Sequence, residues 1–321
     1  MRSTLLAVVP VCGLMIIPVT SQGKEGFTQG TGESRATVTV INGNPLRVNV
    51  GSDHSFQIFN ASIPGTGQIF PAVNELADFG WILGVSGTLY APDFRSRASA
   101  TTSLGMTTNF TEISVSPVTG NGEAATPFTV TVSGRAGPTL TLTQVIRYVN
   151  GENFFRKQMT ISNTGAAAAQ VRVFLGADLL LAGSDSGRSR YLSTSGSVGG
   201  STCEGVSPPH NILLIPQSPA ATAYTADSFS AVWSQIGSGS LPSTASPFSC
   251  FDNGAALQWN LNIPTGGSAE IRAATSFGEV PTIIQPPAAN TPPVPGLNAW
   301  GAALLAAFAA LSGLVILRRA G

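Results

Sequence analysis

Apolar and polar residues alternate over short stretches through most of the middle of the chain. From Leu257 to Ile263 the pattern is clean: Trp259, Leu261 and Ile263 fall on one face, and Gln258, Asn260 and Asn262 on the other. A period of two marks a half-buried strand, because successive strand side chains point to opposite faces. Similar short stretches occur at Ala36 to Ile41, Pro45 to Val50, Phe128 to Ser133, Thr139 to Val149, Phe155 to Ser162 and Ala169 to Leu175, and then at Ile212 to Ile215, Phe229 to Trp233 and Ala269 to Ser276. Turn residues separate them. Asn42-Gly43-Asn44 predicts a tight hairpin, since Asn-Gly supplies positive φ angles. Gly134 to Pro138 predicts a second hairpin, and Asn163-Thr164-Gly165 a further turn. Helical periodicity is scarce. Pro71 to Phe79 predicts one short helix, with Val73, Leu76 and Phe79 on a face. No repeat of solenoid length is present. The spacing predicts an all-β fold, a large antiparallel β-sandwich over residues 36–279.

The two ends follow different rules. Arg2 precedes an apolar run from Leu5 to Val19, and Val19-Thr20-Ser21 places small residues before Gln22. This is the layout of a secretory signal peptide over residues 1–21, cleaved between Ser21 and Gln22. Cys12 lies inside the apolar run without a small-residue lipobox, and is expected to leave with the signal. Residues 22–35 are polar and Gly-rich, a flexible lead-in. Residues 280–295 are dense in proline, which favours extended polyproline geometry and makes a stalk. Beyond it, Ala299 to Leu317 is uncharged and apolar. At roughly 1.5 Å per helical residue it reaches about 28 Å, close to a hydrocarbon core of about 30 Å. Trp300 stands at one interface, and Arg318 and Arg319 form a basic stop at the other, as expected for a cytoplasmic flank. The body is therefore expected outside the cytoplasm.

In this tail Val294, Pro295, Leu297, Trp300 and Gly301 keep a fixed spacing before the apolar run and the arginine pair. Motif, helix and basic end in that order resemble the IPTL-CTERM sorting domain, a relative of PEP-CTERM with the form Ile-Pro-Thr-Leu-x-x-Trp-Gly. Val294 stands in place of Ile and Gly296 in place of Thr. The resemblance covers residues 294–321. It implies a Gram-negative envelope protein recognised by an exosortase-like membrane peptidase, held by its C-terminal helix and then passed to the cell surface or outside. Segments such as YVNGENFFRKQMTISNTG and WNLNIPTGGS are similar to strands of large exported β-sandwiches, some of which bind or act on sugars. That likeness favours one large sandwich of the supersandwich kind.

Composition agrees with export. Charged residues are 10% of the chain, with 16 Lys+Arg against 16 Asp+Glu, well below the ~25% usual in soluble domains. The sequence shows no basic patch, so nucleic acid is not expected as a partner. Cys203 and Cys250, 47 residues apart, are the cysteines left after signal removal. An even count in an exported chain points to a disulfide.

Candidate chemistry is sparse, and no cofactor is expected. Ser52-Asp53-His54 holds three triad-type residues, but neighbours on a strand diverge, whereas a triad converges. His210 is the other histidine. Gly183-Ser184-Asp185-Ser186-Gly187 departs from the Gly-x-Ser-x-Gly elbow and reads as a polar turn. Asp178 and Asp185 flank LLLAGS and offer partial ligands for calcium or a sugar, without a DxDxDG loop. Asp93, Glu112, Glu152, Asp178 and Asp252 are each compatible with paired-carboxylate glycosidase work, and the sequence does not choose two. Trp81, Tyr90, Trp233 and Trp259 are candidates for stacking on sugars, with Trp81 and Trp259 reading as core. The leading expectation is a non-enzymatic surface or matrix protein of structural, adhesive or polymer-binding type, with polysaccharide as a possible ligand. The alternative is a carbohydrate-binding module or carbohydrate-active enzyme on a supersandwich scaffold.

Overall fold

The computed structural model describes residues 36–63, 67–72, 75–97, 101–246, 250–278 and 281. The expected signal peptide with Ser21 and Gln22, the expected lead-in, the expected stalk (Pro281 apart) and the expected sorting tail with its apolar run 299–317 lie outside the described residues. No helix among the described residues is long and apolar enough to cross a membrane.

Those residues form eighteen strands and one α-helix, with two short 3-10 turns at Phe94–Ser96 and Thr101–Leu104. In chain order the strands are β1 (Val38–Asn42), β2 (Leu46–Gly51), β3 (Phe56–Asn60), β4 (Phe79–Val85), β5 (Thr88–Ala91), β6 (Thr108–Asn109), β7 (Thr111–Val115), β8 (Phe128–Ala136) and β9 (Leu140–Tyr148). They continue with β10 (Phe154–Asn163), β11 (Ala169–Asp178), β12 (Ser186–Leu192), β13 (Ser197–Thr202), β14 (Asn211–Ser218), β15 (Ala223–Ser228), β16 (Thr244–Ala245), β17 (Phe251–Ile263) and β18 (Ser268–Ser276). The helix, α1 (Phe229–Ser238), lies between β15 and β16.

β1, β2 and β3 make a small antiparallel sheet. The other fifteen strands belong to one hydrogen-bonded sheet along the path β6-β5-β4-β11-β17-β12-β13-β14-β18-β10-β9-β8-β7, with β15 branching off β17 and β16 pairing with β15. β17 is the junction. Its long C-terminal part pairs with β11 from Gly254 to Ile263, while its first residues pair with β12 at Ser186↔Asp252. Pairing is not wholly antiparallel, because β5–β6 and β15–β16 are parallel.

A single apolar cluster joins residues from both stretches of the path. Trp81 of β4 and Trp259 of β17 meet at 5.8 Å between ring centroids. Phe56 of the small sheet touches Phe79 at 5.2 Å and Phe155 at 5.8 Å. The small sheet thus closes the core between β4 and β10. Each such ring stabilises by roughly 1.5–3 kcal/mol when fully buried.

Three local expectations need correction. Phe229 to Trp233, read as a strand, is the first half of α1. The period-two spacing of Phe229, Ala231 and Trp233 fits five residues of strand, but Val232, Trp233 and Ile236 are the buried ones. Ser228 caps the start by accepting from Ala231 N, and Gly239 ends the helix at φ 83°. The described residues of Pro71 to Phe79 form bends rather than a helix. Their carbonyls accept from elsewhere: Pro71 from Gln57 Nε2, Ala72 from Gly67 N, Glu75 from Asn49 Nδ2 and Ala77 from Arg97. The β1–β2 hairpin forms, but around a cis Asn44–Pro45 bond, and Gly43 does not take a positive φ. Glycine is needed there for space, since a Cβ would meet the Tyr148 ring at 2.1 Å.

Candidate functional site

β9 and β10 alternate buried and outward residues, and β18 does so from Glu270 to Ala273. Leu140, Leu142, Gln144 and Ile146 of β9 face the core, and Thr141, Thr143, Val145 and Arg147 face out. On β10, Phe155, Lys157, Met159 and Ile161 go in, while Arg156, Gln158 and Thr160 go out. Register then decides which outward groups meet. Arg147 stands directly opposite Arg156. In the next row Val145, Gln158 and Arg272 align across three strands. β14 adds Gln217, at a register shift between Pro216 and Ser218. A bulge of this kind re-aims a side chain.

These residues line a groove of about 320 Å3, whose side chains come from Val145, Arg147, Arg156, Gln158, Gln217 and Arg272. Arg156 donates to both Glu152 oxygens, at 2.6 and 3.1 Å, and lies 4.5 Å over the Phe154 ring. Glu270 accepts from Gln158 Nε2 at 2.7 Å and lies 2.7 Å from Arg272 Nε. Arg147 is exposed, and its guanidinium has no hydrogen bond or ion pair among the described residues. Like charges directly opposite on neighbouring strands cost roughly 0.2–1 kcal/mol. Glu152 offsets the Arg156 side of that contact and leaves Arg147 with its guanidinium unspent. Beside the groove Phe154, Leu213, Ile215 and Ala274 form a small apolar cluster on the same face.

Of the residues singled out from sequence, Glu152 alone belongs to this arrangement. Ser52, Asp53 and His54 diverge: Ser52 Oγ accepts from Thr37 N, Asp53 binds Arg97 and Ser55, and His54 Nδ1 lies 3.0 Å from Gln144 Oε1. They are no triad. His54 is fully buried with φ 68°, packs edge-on to Phe110, and has its pKa lowered by burial. Asp93 accepts from Ser96 N at the first 3-10 turn. Glu112, at φ 51°, reaches Arg135 at 3.7 Å. Asp53, Asp93 and Glu112 line a separate pocket of about 270 Å3. His210 binds Thr202 through its backbone.

Asp178, Asp185 and Asp252 do come together, with carboxylate oxygens within 4.8 Å of one another. That grouping crosses β11, the following loop and β17, and proximity alone assigns it no ion. Ser184 Oγ donates to Ser186 O and accepts from Ser186 N in a turn. Cys203 and Cys250 form the expected disulfide, with Cα atoms 5.7 Å apart. Trp81, Trp233 and Trp259 are all fully buried; Tyr90 is half-buried against the core. A roomier groove, about 670 Å3, lies between the β4–β5 turn and the end of α1. Its arginine, Arg172, donates to Gly239 O and so closes the helix end.

Sequence reading passed over Arg147, Arg156, Gln158, Gln217, Glu270 and Arg272. The outward period-two positions of LTLTQVIRY and FFRKQMTIS carried part of the signal. The basic patch became visible only when strands 125 residues apart in sequence, at Arg147 and Arg272, were placed two positions apart in the sheet.

No protein-family model and no curated protein matches this chain. Solved structures similar to this chain include a putative kojibiose phosphorylase from human microbiome, at 6% identity and TM-score 0.35, covering 78% of this chain and 25% of that one. A heparan sulfate lyase from Pedobacter heparinus matches at 8% and 0.42, over 78% and 37%. A putative aldose 1-epimerase from Escherichia coli K12 matches at 9% and 0.41, over 76% and 99%. This chain thus spans well under half the length of the phosphorylase and the lyase. All three are carbohydrate-active by description, and at these TM-scores the likeness assigns no residue of this chain a role.

Proposed function

We propose that this chain is an exported β-sandwich protein that binds a carbohydrate polymer on the outer face of β9, β10 and β18. The observation that carries the reading is the groove itself. Three guanidiniums and two amides, from Arg147, Arg156, Arg272, Gln158 and Gln217, converge on one open sheet face. Planar groups of this type supply the directional donors and acceptors that sugar hydroxyls need. A groove open along a sheet suits a chain more than an isolated small molecule. The reading is one of binding rather than turnover. Glu152 and Glu270, the carboxylates at its rim, are both engaged by arginines.

Export and sorting complete the proposal. The signal peptide ending at Ser21, the proline stalk and the motif Val294, Pro295, Leu297, Trp300 and Gly301 support delivery to the envelope through an exosortase-like peptidase. The tail would hold the body outside the cytoplasm before processing. The test of the binding reading is affinity electrophoresis of the full chain through gels containing a panel of polysaccharides. Retardation by at least one polymer, abolished in the double variant R147A/Q158A, is expected. Retardation unaltered in that variant would place binding elsewhere.

A further inference from the structure

We infer that the polymer held by this groove is acidic, carrying carboxylate or sulfate groups. The inference rests on the carbohydrate-binding reading and names its substrate class. The chain is charge-poor and balanced overall, with 16 cationic and 16 anionic side chains in 321 residues. Against that background β9, β10 and β18 bring three arginines into two adjacent register rows. Arg147 and Arg156 face each other one strand spacing apart, roughly 5 Å, and the Arg272 row lies roughly 7 Å further along the strands.

The internal carboxylates pair with two of the three arginines. Glu152 takes both of its hydrogen bonds from Arg156. Glu270 is shared between Gln158 and Arg272. Arg147 is left without an anion among the described residues, opposite another guanidinium. An arginine presents a planar fork of N–H donors that matches a carboxylate or sulfate in two parallel hydrogen bonds. A bound acidic group beside Arg147 would fill its free fork and offset the repulsion from Arg156, whose own fork is held by Glu152. A neutral sugar would leave the repulsion in place. The bulge at Gln217 adds an amide at the same edge, suited to a neighbouring hydroxyl.

The experiment uses the full chain with two matched pairs of probes: polygalacturonate against its methyl ester, and dextran sulfate against dextran. Binding is followed by titration calorimetry. The acidic member of each pair is expected to bind at least about tenfold more tightly. Its affinity is expected to fall as salt rises from about 0.1 M to about 1 M, where the screening length shrinks from about 10 Å to about 3 Å. R147Q is expected to lose about tenfold, and R147K to recover part of it. R188Q, which removes a charge paired with Glu204 away from the groove, is expected to bind normally. Thermal melting of each variant separates lost contact from lost fold. Equal binding of acidic and neutral members, lost in R147Q, would leave the carbohydrate reading standing and overturn the inference. Acidic binding that survives R147Q and R272Q, or a preference for DNA over both acidic polymers, also overturns it. Failure of all four probes and of the wider panel removes the carbohydrate reading and the inference together.

Discussion

Lys157 and Thr275 meet inside the core, where Lys157 Nζ donates to Thr275 Oγ1. Both are buried, and Phe155, Phe79 and Phe56 surround the amine at 4.3, 4.9 and 5.7 Å. Arg156 and Gln158, on either side of Lys157 in β10, point into the groove. One strand therefore shows polar groups to solvent and hides an amine behind them. Burial lowers the Lys157 pKa well below its ordinary 10.5. The folded state then holds this proton less tightly than the unfolded chain. The cost is full below the folded pKa, and stability rises with pH from that value up to 10.5. K157M is expected to gain on the order of 1–2 kcal/mol at neutral pH and to flatten the alkaline rise. T275V, which removes the amine's hydrogen-bond partner, is expected to lose about 1–3 kcal/mol. Urea unfolding at neutral and mildly alkaline pH measures both. A K157M protein less stable than the parent at both pH values would contradict this account.

His54 makes the acid limb. Its folded pKa is depressed below 6.5 by burial, the dominant cause, although Gln144 and Asp53 oppose the shift. Stability from keeping it neutral is present above 6.5 and is lost as pH falls through the folded pKa. H54N keeps a residue that tolerates the left-handed backbone at this position. Melting temperature followed from pH 7 downward should fall less steeply in H54N than in the parent, whatever the offset at pH 7. Parallel curves would show that His54 does not set the acid response.

Arg147 should be worth more to binding than to folding. R147T relieves the contact with Arg156 and suits the strand, so a gain of up to about 1 kcal/mol is expected. Binding should be lost in the same variant. Surface substitutions that stabilise while costing function are a recognised mark of a working site. A variant both less stable and fully competent in binding would argue that Arg147 is structural.

The disulfide ties the loop after β13 to the start of β17, where the long sheet path turns. Its loop of 47 residues corresponds to about 4 kcal/mol in the chain-entropy account. C203S/C250S is expected to lose about 2–5 kcal/mol and to show its earliest exchange of backbone amides in β12 and in the first residues of β17. Unchanged stability under reducing conditions would remove that role.

The sorting tail makes its own prediction. Replacing Trp300, or Arg318 and Arg319 together, should leave the protein in the membrane fraction of its host. Deleting residues 294–321 should release a soluble exported form. Normal surface delivery after either substitution would reduce the tail to an anchor.

Much of the strand pattern was legible because several long strands, β8 to β10 above all, bury one face. The alternation through Trp259, Leu261 and Ile263, and the β8–β9 hairpin, follow directly from period-two patterning. The burial of Trp81 and Trp259 follows in the same way. Phe229 to Trp233 misled because five residues fit either period, and Ile236 with the Ser228 cap decides for a helix. Asn163-Thr164-Gly165 read as a plain turn, yet it carries the chain from β10, paired with β9 and β18, to β11, paired with β4 and β17. Sequence fixes a turn's chemistry more readily than the partner of the strand that follows. The groove was hidden for the same reason. Arg147, Arg156 and Arg272 are ordinary outward residues taken singly, and only cross-strand register makes them neighbours. Asp178, Asp185 and Asp252 show the same effect with the opposite charge.

The central claim is that a carbohydrate polymer lies across β9, β10 and β18, and an arginine footprint tests it most directly. The full chain is treated with phenylglyoxal, with and without polygalacturonate at a saturating concentration, and modified peptides are read by mass spectrometry. Arg147 and Arg272 should react readily in the free protein and be protected by the polymer, while Arg188 reacts equally in both. Equal modification of Arg147 with and without bound polymer would contradict the account.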